Sequence, residues 1–440
     1  MGNDHYDVIV VGGGFGGMCA AARLADKGYK TLLVERLAFL GGRTSSIDND
    51  GYQISTGAIA IPGGGIIEET YKDVGAEFNV RTFKPEMVFR IEGKDYDEWS
   101  VGKGLFNSMY EYAADKEGAL KVIDAIGRAV TWQFPFGTTS LKDWLSQHTD
   151  DERIYYAFQP FCIALLGTNI HELPVSEFFA WMAQGKENRG VYLNYAHEGN
   201  AAFLEPLEKV IVEKGGKILK ETEISKIIVD KFVVKGVVIE TDDGEKEISA
   251  NAVISNVGPK KTVEITGEVN FDKAYLDEVG KISPTPLVVI ANIISDEPFF
   301  EHDGLVWPIG NPPLVCLITP TNSCPELAPP GKHILQSYSG IMEPRSEIDV
   351  KSEIDLNLET LYELIPDAKV KGRVLSVGCW HKEWPLFHSV WYDIPPKTSV
   401  VNLYNVGDGV KIPGLIGVSL CAETARIAVE DIINSFDPGE

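Results

Sequence analysis

Positive charge is scarce in this chain. Forty Lys and Arg stand against 64 Asp and Glu, a formal charge of −24 over 440 residues. A surface of that sign repels phosphate backbones and anionic lipid headgroups, so nucleic acid is not an expected partner. Cysteine is sparse: the six are Cys19, Cys162, Cys316, Cys324, Cys379 and Cys421. No two form a C-x-x-C pair, and none joins a histidine at zinc-like spacing, so no metal site is expected. Reduced, mostly buried thiols in a reducing compartment are the expectation. Long apolar runs are missing too. Pro286 to Ile294 falls far short of the ~20 residues a membrane helix needs. The acidic start, Met1 to Asp7, has no basic region of the signal-peptide kind, and Tyr6 stands where N-myristoylation wants Ser or Thr. These absences read as a cytoplasmic protein without an integral membrane segment. Neither an internal repeat nor a low-complexity tract is present.

Glycine is present in one telling arrangement. Val8 to Glu35 reads VIVVGGGFGGMCAAARLADKGYKTLLVE. Asp7 to Val11 is a short apolar, β-branched run and reads as a buried strand. Gly12-x-Gly14-x-x-Gly17 follows, with Phe15 and Gly16 between the last two glycines. Met18 to Lys27, rich in alanine, reads as a helix that Gly28 ends. Lys30 to Val34 is a second strand, closed by Glu35 and Arg36. The unit is β-α-β, and each glycine has a physical task. Gly12 permits the tight turn, Gly14 lets the backbone approach a pyrophosphate, and Gly17 lets helix and strand pack closely. The helix N-terminus offers free N–H groups and the positive end of its dipole. Glu35 can accept the hydroxyl hydrogens of an adenosine ribose. A nucleotide loop is the expectation, and the fingerprint alone leaves NAD and FAD both open.

Gly41-Gly42-Arg43 comes shortly after the second strand. Two glycines allow another close approach of backbone, and Arg43 can pair with phosphate. Gly215 to Pro259 alternates apolar positions on either side of Asp242-Asp243-Gly244 and reads as a strand followed by a β-meander ending at Ala250 to Asn256. From Asn402 the chain reads NLYNVGDGVKIPGLIGVSLCAETARIAVEDII. Together these stretches resemble the FAD-dependent amine oxidase and phytoene desaturase superfamily, and within it the phytoene-desaturase-like flavin dehydrogenases. The resemblance implies FAD as cofactor. It implies an α/β fold: a Rossmann-like FAD-binding domain, parallel sheet plus β-meander, with an inserted α+β substrate domain. It places Gly42, Arg43, Gly57, Ala58, Ile224, Asn256, Gly407 and Asp408 at the cofactor. Gly417 and Val418 would open the final helix toward the flavin carbonyl, whose negative charge on reduction the dipole stabilises. The FAD-binding domain would comprise residues 1–80, 195–262 and 398–440. The substrate domain would comprise 81–194, mainly helical, and 263–397, with strands and a helix.

In detail, helices are expected at Leu105 to Ala129, Leu141 to Gln147, Glu152 to Leu166, Val175 to Gln184 and Glu347 to Ile365. Strands are expected at Leu287 to Ile294 and in HILQSYSG, with Pro-rich loops from Glu297 to Lys332. Two stretches depart from the family pattern. Ser55 stands where an Asp is usual before Gly57, and Tyr192 to Asn200 reads YLNYAHEGN, keeping only Gly199 of a glycine pair. The second departure puts carotenoid chemistry in doubt.

A buried flavin takes hydride at N5, and desaturation also needs a base for the adjacent proton. Candidate groups are Tyr195 and His197 on the altered segment, with Trp380, His381 and Trp384 from the C-terminal side. The expected substrate is a small apolar or cyclic organic molecule, such as a cyclic ketone, a cyclic acid or a polyene. The electron acceptor stays open among oxygen, a quinone and an electron-transfer protein, and no second GxGxxG marks an NAD(P)H site. Amine oxidation is an alternative, with Trp384 as one aromatic of a cage. Against it, Val418 stands at the second cage position and the strand after Pro286-Leu287 has no Lys. A redox-neutral isomerase, and a flavin-free binder of lipidated partners of the GDP-dissociation-inhibitor type, are further alternatives.

Overall fold

The computed structural model describes residues 5–439 except 83, 98–100, 132–138, 188–191, 242–243, 283–286, 382–392 and 413. The opening β-α-β unit forms as its sequence dictates. Strand β1 (His5–Val11) leads through the glycine turn into helix α1 (Phe15–Asp26) and on to strand β2 (Thr31–Val34). β1 is buried on both faces, which is why it reads as an unbroken apolar run. Val8 and Val10 face a core shared with α1 and the helices Asn200–Glu213 and Gly417–Ile433. Ile9 and Val11 face a second core with the meander and the helices Pro259–Thr266 and Lys273–Gly280.

β1 is central in a seven-stranded sheet, between β2 and the long strand Gly244–Ser255. That last strand serves two sheets' worth of partners. It runs parallel to β1 and antiparallel to Val233–Thr241, with Ile224–Asp230 beyond. Near its C-terminal end it also pairs in parallel with Leu403–Asn405. The fold is thus α/β, a Rossmann-like parallel sheet carrying an antiparallel meander, with a second unit beside it.

The second unit is built on another seven-stranded sheet. Its order is Arg373–Trp380, Val288–Ser295, His333–Gly340, Leu314–Ile318, Leu305–Ile309, Met87–Ile91 and Lys94–Tyr96. The helices between 101 and 187 cover one face, with Phe161 and Trp307 stacked at 4.5 Å between centroids. Val350–Leu364 covers the other. Two expectations need correction here. The region from Glu297 to Lys332 is not only loop: LVWPI and LVCLI are buried strands, because five consecutive apolar side chains find burial on both faces despite the prolines around them. The single helix expected from Leu105 is two, Val101–Tyr112 and Lys116–Thr131. The chain turns between them, where the Asp115 N–H donates to the Asp151 carboxylate at 2.8 Å. The remaining helices and the strand His333–Gly340 lie where the periodicity puts them, within a few residues. Among the described residues no helix is long and apolar enough to cross a membrane, and no two cysteines are bonded.

Gly17 is the tightest point of the β-α-β unit. A Cβ there would lie 2.1 Å from the Gly12 carbonyl oxygen, and Gly12 itself has φ +94°. Gly17→Ala must therefore push α1 off β1. It should destabilise the protein by about 1–3 kcal/mol, read as a lower urea midpoint. An unchanged midpoint would mean the helix shifts freely.

Candidate active site

Two remote stretches, the glycine loop and the Gly-Asp turn, converge on the side chain of Asn256. A Cβ on Gly14 would come within 2.4 Å of its amide, one on Gly16 within 2.9 Å and one on Gly407 within 2.7 Å. In the orientation that satisfies both of its polar ends, the Asn256 amide accepts from the Gly14 N–H and donates to the Val406 carbonyl, each at 3.2 Å. Its backbone N–H donates to the Val11 carbonyl at 2.7 Å. The glycine loop, the meander's end and the Gly-Asp turn are thereby one rigid cradle. Thr424, on the last helix, completes it by accepting from the Gly407 N–H at 2.9 Å. Phe15 is buried behind the loop, 6.2 Å from the Phe203 ring.

The second glycine pair joins this cradle. Gly41 donates to the Gly13 carbonyl at 2.7 Å, and Gly42 (φ +54°) accepts from the Thr56 hydroxyl, also at 2.7 Å. The Ala58 N–H donates to the Arg43 carbonyl at 2.8 Å, which sets Gly57 and Ala58 alongside. The Arg43 guanidinium reaches both oxygens of Asp408, at 2.7 and 2.8 Å. Arg43 thereby ties the second glycine pair to the last motif, and each side chain of the ion pair is less than a fifth exposed. Sequence reading missed this pairing, and also Thr424 and Thr56.

Glu35 ends β2 in a buried position. Its carboxylate accepts from the Gly13 N–H at 2.6 Å and the Leu37 N–H at 2.8 Å. Its carbonyl accepts from the Thr222 N–H, which brings the start of the strand Ile224–Asp230 beside it. Arg36 points to solvent.

The candidates for substrate chemistry are more dispersed. Tyr195 is buried in the second unit's core, and its hydroxyl donates to the Asp303 carbonyl at 2.9 Å. Burial, with the Asp303 charge behind it, holds the phenol well above its ordinary range, so it keeps its proton and serves as a donor, not a base. His197 lies farther out, with Nε2 2.5 Å from an Arg81 nitrogen and 3.4 Å from Glu326. His381 is partly buried and follows the strand Arg373–Trp380, while Trp384 lies outside the described residues. The Trp380 ring is packed against Gly57, where a Cβ would lie 1.7 Å from it. A cavity of about 30 Å3, enough for a water, is lined by Ala58, Ser55, Tyr195 and Gln336 among others.

This arrangement fits FAD. The backbone of the loop is bare where a pyrophosphate would approach, since three glycines there admit no Cβ. Neither α1 nor the last helix, Gly417–Ile433, has an acidic residue in its first turn to compete with an anion. Cys421 is one turn inside that helix, and burial pushes its thiol well up, which removes it as a thiolate for covalent attachment. Glu35→Ala should raise the FAD dissociation constant at least about tenfold, and Asp408→Ala, which strands the Arg43 charge, should do the same. Titration of flavin-free protein with FAD reads both. Unchanged affinity in either variant removes that residue from the cofactor site.

Known proteins share the architecture. An uncharacterized protein of Methanocaldococcus jannaschii is 29% identical over 97% of this chain and 99% of its own. The crystal structure of an oxidoreductase from Methanosarcina mazei superposes with a TM-score of 0.83 at 29% identity, covering 96% of this chain and 99% of that one. A neurosporene-forming phytoene desaturase of Rhodobacter capsulatus is 26% identical over 56% of this chain, and the match spans about half of that enzyme, 52%. The model of one family, flavin containing amine oxidoreductase, matches residues 15–433, and the chain belongs to that family.

Proposed function

We propose that the protein is an FAD-dependent dehydrogenase that removes hydride from a substrate carbon and forms a C=C bond in an apolar or cyclic molecule. The observation that carries this is the contact of Trp380 with Gly57. It brings the second unit's sheet directly onto the cofactor motif, and the strand that pairs with Trp380, Val288–Ser295, is VVIANIIS, without a charged residue. Amine oxidation is less favoured, since the strand has no Lys where the resemblance to amine oxidases implies one facing the flavin, and Val418 stands where it implies the second cage aromatic. The partial likeness to a phytoene desaturase agrees with an apolar substrate.

The roles of the residues follow from the cradle. Gly12, Gly14 and Gly17 with the start of α1 would hold the pyrophosphate, Glu35 the ribose, and Arg43, Asp408 and the start of the last helix the flavin side. Bound FAD supplies the acceptor for a hydride, its electrons passing on to oxygen, a quinone or an electron-transfer protein. The apolar wall excludes water from the reacting carbon, and Trp380 orients the substrate by packing. Tyr195, held protonated, would polarise a substrate carbonyl by turning to it the proton it otherwise donates to the Asp303 carbonyl. The adjacent C–H proton leaves to a base among the C-terminal candidates, His381 being the described one.

The test is anaerobic bleaching of the flavin by a cyclic ketone or acid, a polyene hydrocarbon and a primary amine, each alone. Bleaching by the ketone, acid or polyene supports C–C dehydrogenation. Bleaching by the amine alone overturns it. In the responding substrate, Tyr195→Phe should slow flavin reduction at least about tenfold while FAD content is unchanged. An equal rate takes Tyr195 out of the chemistry.

A further inference from the structure

Among the described residues, two ion pairs have both side chains less than a fifth exposed, and both end on the same loop. One is Arg43–Asp408. The other joins Lys411, 9% exposed, to Glu177, 18% exposed. Lys411 lies between the Gly-Asp turn, which holds Asp408, and the helix Gly417–Ile433. Buried ion pairs are poor sources of stability, because desolvation offsets most of the attraction, and setting a unique geometry is their best-attested use.

The geometry around Lys411 suits that use. Its backbone N–H donates to the Ile394 carbonyl at 2.8 Å, so the loop is already seated on its near side. Its ammonium reaches across to Glu177, in the first turn of the helix Val175–Glu187. The next two residues, Phe178 and Phe179, are fully buried in the second unit's core and edge-on to one another. Glu177 therefore stands on a mount that packing has fixed. Farther along, Ile416 packs against the same core. Asp408 is held from the opposite side by Arg43. Burial pulls the Lys411 ammonium down from its usual range, while the charges of Glu177 and Asp393 oppose that pull.

We propose that Lys411 and Glu177 are positioning residues for the cofactor, a clasp that fixes the chain at Lys411 against the helix Val175–Glu187. The clasp aims the N–H groups at Gly417 and Val418 and couples FAD binding to the docking of the helical layer. This rests on the reading that the last motif binds FAD.

The experiment is FAD titration of flavin-free Glu177→Gln, Lys411→Met, Lys411→Arg and Asp408→Ala, with the flavin reduction potential measured on each loaded protein. Circular dichroism of the flavin-free proteins checks the fold. Glu177→Gln and Lys411→Met should each raise the FAD dissociation constant at least about tenfold and move the potential, whereas Lys411→Arg, which keeps the charge, should restore both. A merely structural pair would lower the urea midpoint and leave affinity and potential where they were, and that result overturns the clasp. Loss of FAD in Asp408→Ala alone overturns the clasp and leaves the last motif at the cofactor. Full affinity in all four variants overturns both. Should Glu177→Gln fail to fold, Glu177→Asp, which keeps the charge and shortens the reach, carries the same comparison.

Discussion

Bare backbone has to close around one amide for this fold to hold a dinucleotide. Gly14, Gly16 and Gly407 come from opposite ends of the chain, and each would drive a Cβ into Asn256. That crowding is possible only because two remote turns give up their side chains together. The gain is a cradle whose N–H groups are fixed before any ligand arrives, so binding costs less ordering of loops. The helix starts depend on the same crowding. α1 can begin at Phe15 only if Gly17 lies against the Gly12 carbonyl, and the last helix is tied to the Gly-Asp turn through Thr424.

Charge is used sparingly inside this acidic protein. Arg43–Asp408 and Lys411–Glu177 are the described pairs that lie mostly out of water, and both serve the loop before the last helix. Most other pairs are exposed on at least one side, where screening leaves them worth little. The interior charges therefore mark where geometry matters more than stability. The second unit answers with apolar contacts. The Trp380 ring meets Gly57 directly, so the two units touch there through packing and at Lys411–Glu177 through charge.

Much of this was legible in the sequence for local reasons. Glycine spacing, the alanine-rich helix after it and the β-branched run before it each specify their own conformation within a few residues. The strand His333–Gly340 and the helix Glu152–Leu166 follow likewise from periodicity. The strands Leu305–Ile309 and Leu314–Ile318 were not legible, because short apolar runs among prolines look like loop until a neighbouring sheet offers them partners. The break before 116 was not legible because a remote carboxylate, Asp151, meets the chain at Asp115.

The sequence by itself determined the glycine loop, its strand and helix, and Glu35 at the end of the second strand, since steric demands and capping act over neighbours in the chain. Tertiary structure alone decided which charges meet. Nothing in the sequence pairs Arg43 with Asp408 or Lys411 with Glu177. Tertiary structure decided too that Tyr195 turns its hydroxyl to the Asp303 carbonyl and that Trp380 lies on Gly57. A backbone preference is written beside the residue that needs it, whereas a charge or a ring carries no address for the partner that folding brings to it.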